Sequence, residues 1–432
     1  MLFHSLYGSD SGIYTTQLIC ELNGRLNEDM FERAWQAAVD AHAVLRTGFE
    51  WEAVEEPVQV VRRSVKVRLK REDWRTDWRR FGRREQEDVL EKYLRREREQ
   101  EFDLKQSPLM RLALVRTADD KSFFIWTSHH LLLDGWSLPI VFNDVLTSYD
   151  RLRRGEQASV KPERGYRDYI AWIKKQDLRA AESFWRRLLE GFKSPTPLPN
   201  HGIPATRNYQ YAEQEIQLPE SATARMQRFA QRYQLTQNTL VQGAWALLLS
   251  SLSRREDVVF GVVVSGRSAQ VKEVESMVGL FINTLPVRAT ITADAELTVW
   301  LKQLQAQQTE ISQYEYSPLA RVQAWSEVEP GQPLFESIFV FENYPGSATD
   351  VHGDLRVVSA SSVERSNYPL TVWAIPGREL VLRIGYDKRR FHNEWISQLL
   401  QDYQTLLEQI SEALWVKDLL PIKKHKIYKM NC

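Results

Sequence analysis

Seven consecutive residues, His129-His130-Leu131-Leu132-Leu133-Asp134-Gly135, concentrate most of the side chains in this sequence that suggest chemistry. Imidazole is the side chain that exchanges a proton near neutral pH, so a general base or acid is the first chemistry to consider. On a strand, neighbouring side chains point to opposite faces, so one histidine addresses a substrate and the other braces it. Gly135 lets the chain turn sharply into a helix starting near Trp136, whose free N–H groups can meet an oxyanion. A metal site is a poor reading, because adjacent histidines diverge and no carboxylate or cysteine cluster completes a ligand set. A buried histidine pair beside an unrelated turn is the competing structural reading. The sequence has no glycine-rich phosphate loop, GxSxG elbow or HExxH.

The surrounding elements must hold that segment. Residues 14–22 alternate like a half-buried strand, with Leu18, Cys20 and Leu22 on one face. Asn27 suits the N-cap of a helix carrying Phe31, Trp35, Ala38 and Leu45 at helical spacing. Residues 109–116 and 122–128 are β-rich and separated by Thr-Ala-Asp-Asp, a hairpin whose second strand runs into the histidines. Ser137 is the expected N-cap of the next helix, with Pro139 in its first turn. A further helix over 180–190 ends at Gly191. Residues 193–207 carry four prolines and read as a linker. Helices are expected near 219–234, 237–253, 295–313 and 394–413, with strands near 257–264, 334–342 and 379–387. The expectation is an α/β (α+β) protein of two halves, 1–175 and 176–432, each a sheet with helices packed on it.

Composition excludes several classes. Lys+Arg and Asp+Glu both number 57, so there is no basic surplus of the kind phosphate neutralisation requires. The charge-dense stretch 62–102 interleaves acids with its bases and reads as a solvated helical face, with Val89, Leu90, Tyr93 and Leu94 turned inward. Two cysteines, Cys20 and Cys432, build neither a disulfide framework nor a zinc site and suit a reducing cytoplasm. Apolar runs fall far short of the roughly 20 residues of a membrane helix, and no signal peptide is visible. Neither nucleic acid nor membrane is an expected partner.

HHLLLDG resembles the HHxxxDG signature of chloramphenicol acetyltransferase-like acyltransferases, and in particular of nonribosomal peptide synthetase condensation domains. Further segments similar to condensation motifs follow in the family's order: MLFHSLY at 1–7, AHAVLRTGF at 41–49, FDLKQSPLMR at 102–111, YRDYIAW at 166–172, VGLFINTLPVR at 278–288, YSPLARVQAWS at 316–326 and ERSNYPLTV at 364–372. The chain starts partway through the first motif, so the fold is expected to begin before Met1.

The resemblance implies two acetyltransferase-like lobes in a V-shaped pseudo-dimer with a tunnel at the interface. It implies amide formation, in which the amine of an aminoacyl thioester on an acceptor carrier attacks a donor acyl or peptidyl thioester. No cofactor or metal is bound in this scheme. The substrates ride on the 4'-phosphopantetheine of upstream and downstream peptidyl carrier proteins, and an adenylation domain is an expected neighbour. Carried over by position, His130 is catalytic and His129 supports it. Asp134 is expected to pair with Arg288 and hold the loop, Gly135 to leave room for the thioester, and Asn283 to lie in the same fifth motif as Arg288. The MLFH start leans towards a D-configured donor, with an L-configured donor close behind. A stand-alone amide- or ester-forming acyltransferase, an epimerisation domain and a non-catalytic relative are the alternatives.

Overall fold

The computed structural model describes residues 14–52, 54–160, 164–199, 211–342, 351–352 and 355–420. The motif at 1–7, the second half of the expected linker from 200 to 207 and the lysine-rich end from Lys423 lie outside them.

The chain divides into two compact units. The first comprises residues 1–174 with 267–281 and 344–367, and the second comprises 175–266, 282–343 and 368–432. Sequence reading places one boundary near 175. The chain in fact contributes two later segments to the first unit, because their contacts are with that unit's sheet and loops. The expected linker does not separate the units either. Within it, Leu198 is buried in the second unit's core, and the Thr196 hydroxyl accepts the Val259 N–H at 2.7 Å.

In the first unit the strands are β1 (Thr15–Asn23), β2 (Thr47–Glu50), β3 (Val58–Val61), β4 (Leu69–Asp73), β5 (Met110–Arg116) and β6 (Lys121–His129). In the second they are β7 (Tyr211–Gln217), β8 (Asp257–Val264), β9 (Asn283–Thr290) and β10 (Ser337–Phe341). The chain then gives β11 (Val351–His352) and β12 (Leu355–Val363) to the first unit, and β13 (Leu370–Ile375) and β14 (Val381–Asp387) to the second. The first sheet runs β11-β12-β1-β6-β5-β4 and the second β7-β14-β13-β10-β8-β9, while β2 and β3 form a separate ribbon.

The expected hairpin is β5–β6, antiparallel with Met110 opposite Ser128. Alternation along the central strands supplies a core on each face. Cys20, Leu22, Phe124 and Trp126 face helix Glu28–Ala41, where Trp35 meets Trp126 edge-on at 4.8 Å between ring centroids. That helix starts where the sequence suggests, with the Asn27 side chain accepting the Met30 N–H. Ala113, Val115 and Ile125 face Tyr93 and Leu94 of helix Arg83–Glu99. The charges on this second helix are largely matched at close range, Glu97 by Lys70 and Glu91 by Arg98.

In the second unit, helix Gln237–Ser253 is buried over most of its length and carries an unbroken apolar run from Ala244 to Leu249. A Cβ on its Gly243 would lie 2.7 Å from Leu301, so glycine there permits close packing of helix Leu297–Ser312.

Candidate active site

Strand β6 delivers the histidines. His129 is its last residue, opposite Thr15 of β1, and His130 begins the turn beyond it. The backbone is pinned on both sides: the His129 N–H donates to the Leu109 carbonyl at 2.9 Å, and the His130 N–H to the Tyr14 carbonyl at 2.7 Å.

The two rings have opposite environments. His129 is buried, and its Nδ1 accepts the Leu131 N–H at 3.1 Å. Burial, with the neighbouring His130, holds its pKa down at about 4, so this imidazole is neutral and structural in character. His130 is also buried, but each of its nitrogens meets an oxygen. Nδ1 donates to the Leu133 carbonyl at 2.7 Å, which places the tautomer's fixed proton there. Nε2 contacts the Glu364 carboxylate. Burial alone presses the His130 pKa down; the Glu364 charge outweighs it and lifts the value to about 9. In turn, burial pushes the Glu364 carboxyl up, and the His130 cation more than reverses this, leaving it below the ordinary range.

The topology explains how Glu364 arrives. β12 pairs with β1 on the edge opposite β6, with Val363 across from Gln17, so the ends of β6 and β12 flank the start of β1. Sequence reading assigns Glu364 no role, although it is the first residue of the ERSNYPLTV segment, and nothing local says that this strand inserts beside β1.

Asp134 anchors the turn. Its Oδ1 accepts the Ser137 N–H at 2.9 Å and the Ser137 hydroxyl at 2.7 Å, and its Oδ2 accepts the Phe281 N–H at 3.0 Å. Ser137 is therefore the first residue of helix Ser137–Arg153 and not its N-cap; Asp134 takes over the free N–H of that helix start. The expected Asp134–Arg288 pair is corrected as well. The arginine on Asp134 is Arg267, with Nη2 3.1 Å from Oδ1, and it also donates to the Val274 and Met277 carbonyls. Arg288, on β9, is committed within the second unit. It forms a two-point bond with Asp257 and donates to the Leu188 and Glu190 carbonyls, which engages four of the five N–H donors of its planar fork. Asn283 also belongs to the second unit, where its amide donates to the Glu315 and Ser317 carbonyls and braces that turn. Gly135 lies half-buried in the turn between Asp134 and the helix. No group of three or more His, Cys, Asp or Glu side chains among the described residues is placed to hold a metal ion.

The Condensation domain family matches residues 1–417. This chain belongs to the condensation-domain family. Its curated relatives include one of the linear gramicidin synthase subunits of Brevibacillus parabrevis, 44% identical over 96% of this chain and 8% of that protein. Bacitracin synthase 3 of Bacillus licheniformis is 36% identical over 95% of this chain and 6% of its own length. The condensation domain thus spans less than a tenth of these two relatives. Among solved structures, the X-domain from teicoplanin biosynthesis superposes with a TM-score of 0.81 at 22% identity, covering 96% of this chain and 94% of that one. The first condensation domain of the calcium-dependent antibiotic synthetase, in complex with a substrate analogue, gives 0.79 at 14% identity, covering 96% of each chain. The mixed α/β condensation-domain fold implied by the motifs is the one observed. No helix among its described residues is long and apolar enough to cross a membrane.

Proposed function

We propose that this condensation domain forms peptide bonds between substrates held as thioesters on two carrier proteins of a nonribosomal peptide synthetase, with His130 as the catalytic group. The observation that carries the reading is the His130 ring itself, oriented through Nδ1 on the Leu133 carbonyl, with Nε2, which meets the Glu364 carboxylate, as its proton-transfer atom. The acceptor amine attacks the donor carbonyl and the C–N bond forms. The nitrogen gives up a proton towards Nε2, the C–S bond breaks, and the departing sulfur is protonated. A thioester is already an activated acyl donor, so orientation of the amine and proton removal are what the protein has to add. His129 and Asp134 act on the shape of the turn, and Gly135 keeps the turn open for the thioester. Arg288 and Asn283 hold the strand and turn that carry the fifth motif. The substrates arrive on phosphopantetheine, the natural partners are donor and acceptor carrier domains with an adjoining adenylation domain, and the reaction takes place in the cytoplasm. Similarity to gramicidin and bacitracin synthases supports that setting.

The MLFH start supports a D-configured donor. Donor carriers loaded with D- or L-aminoacyl groups, offered in competition with one loaded acceptor carrier, test both levels of the proposal. Faster product formation from the D-donor is expected. Preference for the L-donor overturns the stereochemical assignment, and absence of any condensed product from either overturns the activity.

A further inference from the structure

Resting on that reading, we propose that Glu364 is a positioning residue for amide formation, which orients the His130 ring and shares its Nε2 proton, so that the working proton carrier is the His130–Glu364 pair.

Geometry carries this. The imidazole is held at both nitrogens by oxygens from different parts of the first unit, Leu133 in the turn after β6 and Glu364 at the end of β12. A ring bonded only through Nδ1 can swing about that bond, whereas a second bond at Nε2 fixes its plane and direction. The titratable groups facing His130 among the described residues are few. Glu364 follows β12 directly and His129 ends β6, and Tyr14, just before β1, presents its backbone carbonyl to the His130 N–H. His129 is held neutral by burial, which leaves the carboxylate as the charge that decides where the proton sits. The same contact is what lifts the His130 pKa.

The proton count closes. At rest the pair holds one proton between Nε2 and the carboxylate. As the C–N bond forms, an N–H bond of the amine breaks and the pair takes a second proton. As the C–S bond breaks, that proton passes to sulfur, and the pair returns to its starting state. A lone imidazole with the same basicity would be protonated at neutral pH with nowhere to put the incoming proton; the carboxylate supplies that place.

The test is a titration of the His130 ring by NMR on the full chain with isotope-labelled histidine, the signal being assigned by its loss in His130→Gln. It is run on the unaltered protein, on Glu364→Gln and on Glu364→Asp, alongside a pH profile of single-turnover condensation. In Glu364→Gln the His130 midpoint is expected to fall by more than one pH unit towards the ordinary value of about 6.5. The pH profile is expected to move the same way, with a loss of tenfold or more in rate at neutral pH that Glu364→Asp partly restores. A Glu364→Gln protein with an unchanged melting curve and an unchanged His130 midpoint overturns the proposal. If the midpoint shifts but the unaltered protein forms no amide, the pair stands and the assigned reaction fails, so the two failures are distinguishable.

Discussion

The Arg267 guanidinium lies 3.1 Å from the Asp134 Oδ1 and 3.9 Å from the centre of the Phe281 ring, with the Arg267 and Asp134 side chains almost fully excluded from solvent. It connects the turn after the histidines to the segment 267–281 through the buried charge pair and a bond to the Ser137 hydroxyl, while the Phe281 N–H donates to Asp134 and the guanidinium also donates to the Val274 and Met277 carbonyls within its own segment.

Removing one partner of such a pair strands the other charge, so Arg267→Ala and Asp134→Ala are each expected to cost about 3–5 kcal/mol of stability. Arg288→Ala removes a pair whose Asp257 partner is more than a third exposed, and it is expected to cost about 1–2 kcal/mol. Urea unfolding of the three variants checks the order. An Arg288→Ala loss equal to that of Arg267→Ala would show that burial is not what separates them.

Gly279 tests the same turn from its backbone side. Its N–H donates to the Ser137 hydroxyl at 3.1 Å, and its carbonyl accepts the Asp134 N–H, also at 3.1 Å. A Cβ at this position would fall 2.3 Å from the Tyr166 ring, whose hydroxyl is tied to the Leu280 carbonyl. Gly279→Ala is therefore expected to destabilise by about 1–3 kcal/mol through overpacking. The double variant Gly279→Ala with Tyr166→Ala should recover part of that loss relative to Tyr166→Ala alone. No recovery in a thermal melt would place the strain elsewhere.

His129 sets a pH dependence of definite sign. Burial lowers its pKa to about 4 in the folded chain against about 6.5 when unfolded, so between these values the unfolded state binds more protons. Its contribution is complete above pH 6.5 and is lost as the pH falls towards 4, a change of about 3 kcal/mol. The stability difference between the unaltered protein and His129→Gln should thus shrink across that window and stay constant above it. A difference that does not vary from pH 4 to 7 would mean that the ring titrates normally.

Legibility in the sequence follows the range of the interactions. β1, the Asn27 cap, the β5–β6 hairpin and the helices expected near 219–234, 237–253, 295–313 and 394–413 are written in alternation, helical spacing and turn residues within a few positions of each other, and the structure has them close to where the sequence puts them, whereas helix Leu319–Trp325 is not expected from it. The insertion of β12 beside β1 is not legible, because it joins residues more than 300 apart and neither strand's pattern names its neighbour. Glu364 escapes sequence reading for the same reason. The partner of Asp134 is misassigned because Arg288 is carried over from the fifth motif by resemblance, and only the fold shows that Arg267 belongs to the first unit while Arg288 is held by Asp257. Ser137 reads as a cap because serine is a frequent one. Asp134, three residues earlier, offers a charged acceptor for the N–H and the hydroxyl of Ser137 itself, which draws Ser137 in as the first helical residue.

The central claim is that this chain joins two carrier-bound substrates through His130. Its most direct test is intact-mass spectrometry of donor and acceptor carrier proteins, loaded with phosphopantetheine thioesters and mixed with the unaltered protein or with His130→Ala. Transfer of the donor acyl group to the acceptor carrier is predicted for the unaltered protein. With His130→Ala and an unchanged melting curve, the single-turnover rate should fall by about 10²-fold to 10⁴-fold. A folded His130→Ala protein that condenses at the unaltered rate would contradict the account.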